Sequence, residues 1–211
     1  MANDDNSTRQ RFSDTQINQF INEGQQLFDI ESLCNYKSYS FSLALKTTYY
    51  SLPSDYINVT RVTKDYMQLP ELTPEALTSR SGEWEDVTGT PIYYFINFST
   101  RGKIGMYPYP ASSSDLGTVR LDYIAYSSAL SSDSDTPFNG YNEFSAYSYS
   151  LVYYAAYKMS VIDERTNLAT IFFQQFDATT KIAGYFLSCP RKNSAPMKRI
   201  LTIPTFRNAG W

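Results

Sequence analysis

The chain contains no histidine. That removes Ser-His-Asp and Cys-His catalysis, His-ligated zinc and the usual general base near neutral pH. An enzyme built from this sequence would have to work with carboxylates, lysine or tyrosine. Cysteine is nearly absent as well: Cys34 and Cys189 are too few for a disulfide framework and read as two reduced thiols in a protein made in a cytoplasm. No stretch approaches the roughly 18 consecutive apolar residues of a membrane span. The opening MANDDNSTRQR is polar and lacks an apolar core, so no secretory signal is expected, and residues 1–12 read as a disordered lead. A net charge of −3, from 18 basic and 21 acidic residues, argues against attraction of the whole chain to nucleic acid or membrane. No internal repeat is visible.

What the chain does have is aromatic mass. Of its 211 residues 16% are aromatic, with 19 Tyr and 13 Phe, and 42% are hydrophobic, enough to build the core of one domain with arms. The stretch from Phe138 to Leu187 has no proline and predicts two helices. In the first, roughly Asn142 to Ile162, residues Phe144, Ser148, Leu151, Val152, Ala155, Met159 and Ile162 recur at helical spacing. The second, roughly Glu164 to Leu187, carries Leu168, Ile171, Phe172, Gln175, Phe176, Thr179 and Ala183 on one stripe. Tyr147, Tyr149, Tyr153, Tyr154 and Tyr157 fall largely off the first helix's stripe, leaving it apolar or aromatic almost all round. Such a helix is buried on more than one side. Two readings are open: a central helix within a monomer, or a helix with its own core on one side and a neighbouring subunit on the other. The second makes Tyr147, Tyr153, Tyr154 and Tyr157 subunit-interface candidates.

A third helix opens at Ser13, where Ser13-Asp-Thr-Gln16 is a capping box. Ile17, Phe20, Ile21, Gly24, Leu27 and Phe28 form its apolar stripe. From Tyr36 to Tyr126 the period drops to two. One alternating run covers 36–48, Leu52-Pro-Ser-Asp55 is a turn, and Tyr56 to Thr63 alternates with Ile57, Val59, Arg61 and Thr63 on one side. Tyr66 to Leu69 is a return strand, and Thr73-Pro74 opens a one-turn helix. Ile92 to Phe98 and Lys103 to Tyr107 make a hairpin, and Val119 to Tyr126 is the last strand. Ser127 to Asn139 is a polar link. The predicted fold is therefore α+β: residues 13–35 and 138–187 form a small helical bundle, and 36–137 an inserted antiparallel β-rich module. An extended basic arm, 188–211, follows. That arm carries Arg191, Lys192, Lys198, Arg199 and Arg207, no acid, and three prolines that exclude a long helix. Ile200, Leu201, Ile203, Phe206 and Trp211 are its candidate docking anchors.

Three stretches are candidate sites. Glu83-Trp84-Glu85-Asp86 sets carboxylates beside an aromatic, but neighbouring strand residues point to opposite faces. Asp133 and Asp135 resemble the start of a calcium loop, yet Pro137 stands where an oxygen ligand is needed. Gly102-Lys103 lacks the upstream glycine of a phosphate loop. No catalytic, cofactor or metal residues are assigned.

The order of pieces resembles the head-to-tail adaptor (connector) proteins of tailed bacteriophages, especially the short-tailed type. Leu52-Pro-Ser-Asp55 precedes Val59-Thr-Arg-Val62. Trp84 precedes Gly89-Thr-Pro91-Ile-Tyr93-Tyr94, and Ile104-Gly-Met-Tyr107-Pro108-Tyr-Pro110 precedes Leu121-Asp-Tyr123. Asp133-Ser-Asp135-Thr-Pro137 leads into the helical pair, with Leu151-Val-Tyr-Tyr154-Ala155 and Ala169 to Phe176. The resemblance covers Ser13 to Leu187; the tyrosine load and the long tail depart from it. It implies a virion protein at the portal vertex, assembled in the host cytoplasm. Its ring, a dodecamer, would touch the portal protein and a tail or nozzle protein, pass double-stranded DNA without catalysis, and use no cofactor and no membrane. The alternatives are another tail or fibre-anchoring structural protein and, further off, a carboxylate-dependent carbohydrate enzyme.

Overall fold

The computed structural model describes residues 11–80, 82–96, 102–132 and 134–187. Helix α1 (Asp14–Ser32) begins as its capping box demands: the Ser13 hydroxyl accepts from the Gln16 amide, and the Gln16 side chain accepts from the Ser13 amide at 3.0 Å. Leu33, at φ 51°, ends it in the left-handed region. The β module follows, comprising β1 (Tyr36–Ser42), β2 (Tyr49–Ser51), β3 (Tyr56–Lys64), β4 (Met67–Leu69), β5 (Tyr93–Ile96), β6 (Lys103–Tyr107) and β7 (Thr118–Ala125). Between β4 and β5 lies α2 (Pro74–Arg80), capped by the Thr73 hydroxyl. Helices α3 (Tyr149–Ile162) and α4 (Thr166–Leu187) close the described chain. The fold is α+β, as expected. Among the described residues no helix is long and apolar enough to cross a membrane.

The strands form two antiparallel sheets, ordered β1-β7-β3-β4 and β2-β6-β5. The alternating run expected over 36–48 is strand only as far as Ser42: Leu43 turns inward to the core, Lys46 takes φ 54° in the turn that follows, and the second sheet is entered only at Tyr49. Val62, Leu69, Val119, Leu121 and Tyr123 of the first sheet pack on Tyr94, Ile104 and Met106 of the second. Strand alternation sends the next residue of β5, Phe95, to the opposite face, where it joins Leu77 of α2 and Trp84 in a second small core. Gly105, paired with Phe95 across β5 and β6, lies directly beneath that ring. In β3 the simple alternation fails. Register shifts at Tyr56/Asn58 and Val59/Arg61 insert bulges, so Val59 and Val62 both reach the core while Arg61 is exposed.

Helices α1, α3 and α4 form the bundle around Phe28, Phe138, Phe144, Leu151 and Phe176. Gly24 lets α1 and α3 approach closely; a Cβ there would sit 2.9 Å from that of Tyr154. The segment expected to start the first C-terminal helix, Asn142–Tyr147, is a 3-10 turn instead. Ser145 and Ser148 donate their hydroxyls back to the carbonyls of Asn142 and Ser145, competing with α-helical geometry. The polar link is stitched onto α1 rather than looping free. Asn22 exchanges two hydrogen bonds with the Leu130 backbone, and buried Gln25 bridges the Ser128 carbonyl and the Phe138 amide.

Two chain crossings join bundle and sheets, at Cys34–Tyr36 and Ala125–Ser127. Asn35 donates to the Ala125 carbonyl and the Ser127 hydroxyl. Asp29, fully buried, accepts from the Ser127 amide at 2.6 Å and its hydroxyl at 3.1 Å. Burial pushes the Asp29 carboxyl up to about 6, against the pull of the Ser127 hydrogen bonds.

Candidate interaction surfaces

The four tyrosines expected at a subunit contact are only half-buried, and all four pack against their own bundle. Tyr147, Tyr153 and Tyr154 lie against the helical core. The Tyr154 ring centroid is 5.1 Å from that of Phe176, and Tyr147 is 6.5 Å from Phe28. The Tyr157 ring lies tilted against Phe173 of α4, centroids 5.0 Å apart. The expected division of α3 is therefore shifted. Leu151 and Ala155 do face the core, but Val152 is 58% exposed and Ile162 51%. On α4 the inward side runs through Ala169, Phe172, Phe176, Thr180 and Ala183, while Leu168, Ile171 and Gln175, expected on the core stripe, face outward. A helix that is apolar on two sides gives no sequence contrast to say which side faces its own core.

The outcome is an apolar outer face on the bundle. Tyr149, at 71% exposure, and Val152 carry it on α3; Leu168, Ile171, Ile182, Tyr185 and Phe186 carry it on α4. Scattered exposed apolar residues need no explanation, but here they recur along two helices of one bundle, as at a contact surface. The arm anchors Ile200, Leu201, Ile203, Phe206 and Trp211 lie outside the described residues.

The polar candidates resolve into local structure. Trp84 is buried, its indole N–H donating to the Thr78 hydroxyl, while Glu83 and Glu85 stand exposed on either side. Asp135 accepts from the amides of Ser131 and Ser132, a turn of its own making; Asp133 lies outside the described residues. A shallow hollow of ≈650 Å³ on the first sheet is lined by Lys37, Ser38, Arg61, Arg120 and Asp122. Partial burial pushes the Asp122 carboxyl up, but Ser38, Arg61 and Arg120 all donate to it and together hold it below the ordinary range. Both arginines are thus committed to one carboxylate, which is a surface ion-pair network rather than a prepared anion site. Among the described residues no group of His, Cys, Asp and Glu could hold a metal ion.

The features of this α+β chain that stand out among the described residues are an apolar helical surface and no prepared metal site. The family whose sequence profile matches residues 1–190 is described as SU10 adaptor protein. The chain belongs to that family, a family of bacteriophage structural adaptors rather than of enzymes, in agreement with the resemblance drawn from its motifs. No curated protein matches the chain.

Proposed function

We propose that this protein is the subunit of a homo-oligomeric ring, a dodecamer, that connects the portal vertex of the capsid to the tail and lets genomic double-stranded DNA pass. The observation that carries the reading is the outer apolar face of α3 and α4 on a chain of the SU10 adaptor family. The ring touches the portal protein on one side and a tail or nozzle protein on the other, at the head-tail junction of the virion, and is assembled in the host cytoplasm. Half-buried Tyr147, Tyr153, Tyr154 and Tyr157 contribute their remaining exposed edges to subunit contacts. The arm, through Ile200, Leu201, Ile203, Phe206 and Trp211, docks on the portal, where a short β-prone run such as Ile200–Ile203 suits addition to a sheet edge.

Mixing the purified chain with portal complexes and imaging the product tests this. Rings seated on the portal are expected, and removal of 190–211 is expected to abolish seating. A stable dimer as the endpoint, or a location elsewhere in the particle, refutes it.

A further inference from the structure

Along α4, Leu168, Ile171, Gln175, Ala178, Ile182 and Tyr185 follow one another at alternating steps of three and four residues, and all six are exposed. Along α3, Tyr149, Val152, Ala156 and Met159 do the same, with Tyr149 and Val152 exposed and the other two half-buried. This is the spacing of a coiled-coil seam, and each helix carries it in addition to its inward stripe. Among the described residues nothing covers either seam.

We infer that the α3 seam of one subunit packs on the α4 seam of a second copy, and that this is the lateral contact of the assembly; the inference rests on the ring reading above. The register of the hairpin makes the case. Ring contacts Tyr154–Phe176 and Tyr157–Phe173 set the levels at which antiparallel α3 and α4 lie side by side. At that register Val152 is level with Ala178 and Met159 with Ile171, while Tyr149 and Ala156 come within one residue of Ile182 and Gln175. Copies in a cyclic assembly are related by rotation. If the axis runs along the bundle, rotation preserves height, so the α3 seam of one copy meets the α4 seam of the next at these same levels. Large residues then meet at the two ends, Tyr149 with Ile182 and Met159 with Ile171. In the middle each pair has one alanine, Ala156 facing Gln175 and Ala178 facing Val152, which lets the backbones approach.

Charge agrees. Lys158 of α3 is taken by Glu23 of α1 at 2.9 Å, and Asp177 and Lys181 of α4 pair with each other at 2.7 Å. Neither seam presents an unpaired charge to be desolvated. In the rotational arrangement above each copy gives its α3 seam to one neighbour and its α4 seam to the other, a head-to-tail contact of the kind that closes rings. The seven large side chains left about half exposed on the two seams present on the order of 700 Å² of apolar surface. At the apolar share of known interfaces this corresponds to about 1,200 Å² in all, the low end for a specific contact.

Disulfide trapping between level partners tests the inference. Cys34 is buried and can stay; Cys189→Ser removes the other thiol. In that background Val152→Cys and Ala178→Cys are made singly and together, both at outward positions, and oxidised after assembly on portal complexes. The double variant is expected to give a ladder of covalently linked subunits in denaturing gels. The single variants are expected to stay monomeric when alone and to cross-link when mixed. Rings visible by electron microscopy that yield no ladder overturn the seam contact and leave the ring intact. Dimers from either single variant overturn it in favour of a two-fold contact. Ile182→Cys alkylation in the monomer that speeds up on removal of 190–211 assigns the α4 seam to the chain's own tail, and overturns it. Absence of any ring refutes the functional reading and this inference together.

Discussion

Gly105→Ala is expected to destabilise the protein, against the general rule for such a change. Replacing glycine by alanine at a compatible backbone position stabilises by about 0.4–1 kcal/mol, because the unfolded chain loses freedom. Here the new methyl would enter the ring of Phe95, sitting 2.5 Å from its Cε1 and inside contact with Cζ and Cε2. Ordinary carbon contacts lie near 3.5–4.0 Å, so the ring, closest at Cζ, must withdraw by about 1.5 Å or more. It has nowhere to go. Phe95 is fully buried, edge-on to Trp84 at 5.1 Å and to Tyr49 at 5.8 Å, with Leu77 in the same cluster. Overpacking a core of this kind costs about 1–3 kcal/mol, and a ring held on several sides sets the cost at about 3 kcal/mol. For a chain of this size each kcal/mol moves Tm by about 3 °C, giving a fall of about 9 °C in a thermal melt. The control is the same change in a Phe95→Leu background, where the ring is gone and the added cost is expected to fall below about 1 kcal/mol; contacting residues couple in such a cycle. An unchanged Tm for Gly105→Ala, or an equal loss in both backgrounds, refutes the packing account of this site.

Leu151→Asp places an unpaired carboxylate on the bundle's core, where Leu151 is 3% exposed, and is expected to cost about 4 kcal/mol or more by urea unfolding. Tyr154→Ala removes the ring set between Gly24 and Phe176 and is expected to cost about 2 kcal/mol of fold stability before any effect on assembly is scored; an unchanged midpoint would return Tyr154 to the outer surface. Asp29 sets a pH slope. Its folded pKa of about 6 lies above the ordinary 3.8, so the folded state holds the proton more tightly, and stability falls as pH rises from about 4 to about 6 before levelling off. The loss is on the order of 3 kcal/mol, and Asp29→Asn is expected to flatten that part of the profile measured by denaturant midpoints. A profile of wild type that rises through this window refutes the assignment.

Much of the fold was legible because local chemistry and global packing agree where they matter. The Ser13–Gln16 box, the Thr73 cap and the alternation of Val119, Leu121, Tyr123 and Ala125 each sit where the pattern placed them. Three features were not legible. The bulges in β3 answer to its pairing with β7, which lies far off in sequence. The end of the alternating run at Ser42 answers to a turn built on one left-handed residue, Lys46, a residue type that carries no signal for that conformation. The outer seams were hidden by abundance: with apolar residues on two sides of α3 and α4, either side satisfies a helical stripe. The three-four stepping of Leu168, Ile171, Gln175, Ala178, Ile182 and Tyr185 was in the sequence, but Leu168, Ile171 and Gln175 also step correctly with the inward set. Only burial separates them.

The two adjacent crossings between bundle and sheets have a mechanical meaning. A single covalent crossing would act as a swivel. Here the chain passes twice, side by side, because Tyr36 of β1 pairs with Ile124 of β7. Asn35 and Asp29 rivet the two passes together through Ala125 and Ser127. Two anchors on one line resist torsion about the long axis of the subunit and leave flexure in one plane as the compliant mode. A load applied to the β module therefore reaches the helices as bending and shear across a strap two strands wide. The hydrogen bonds of Asn35 and Asp29 lie within that strap and tie its two passes to each other.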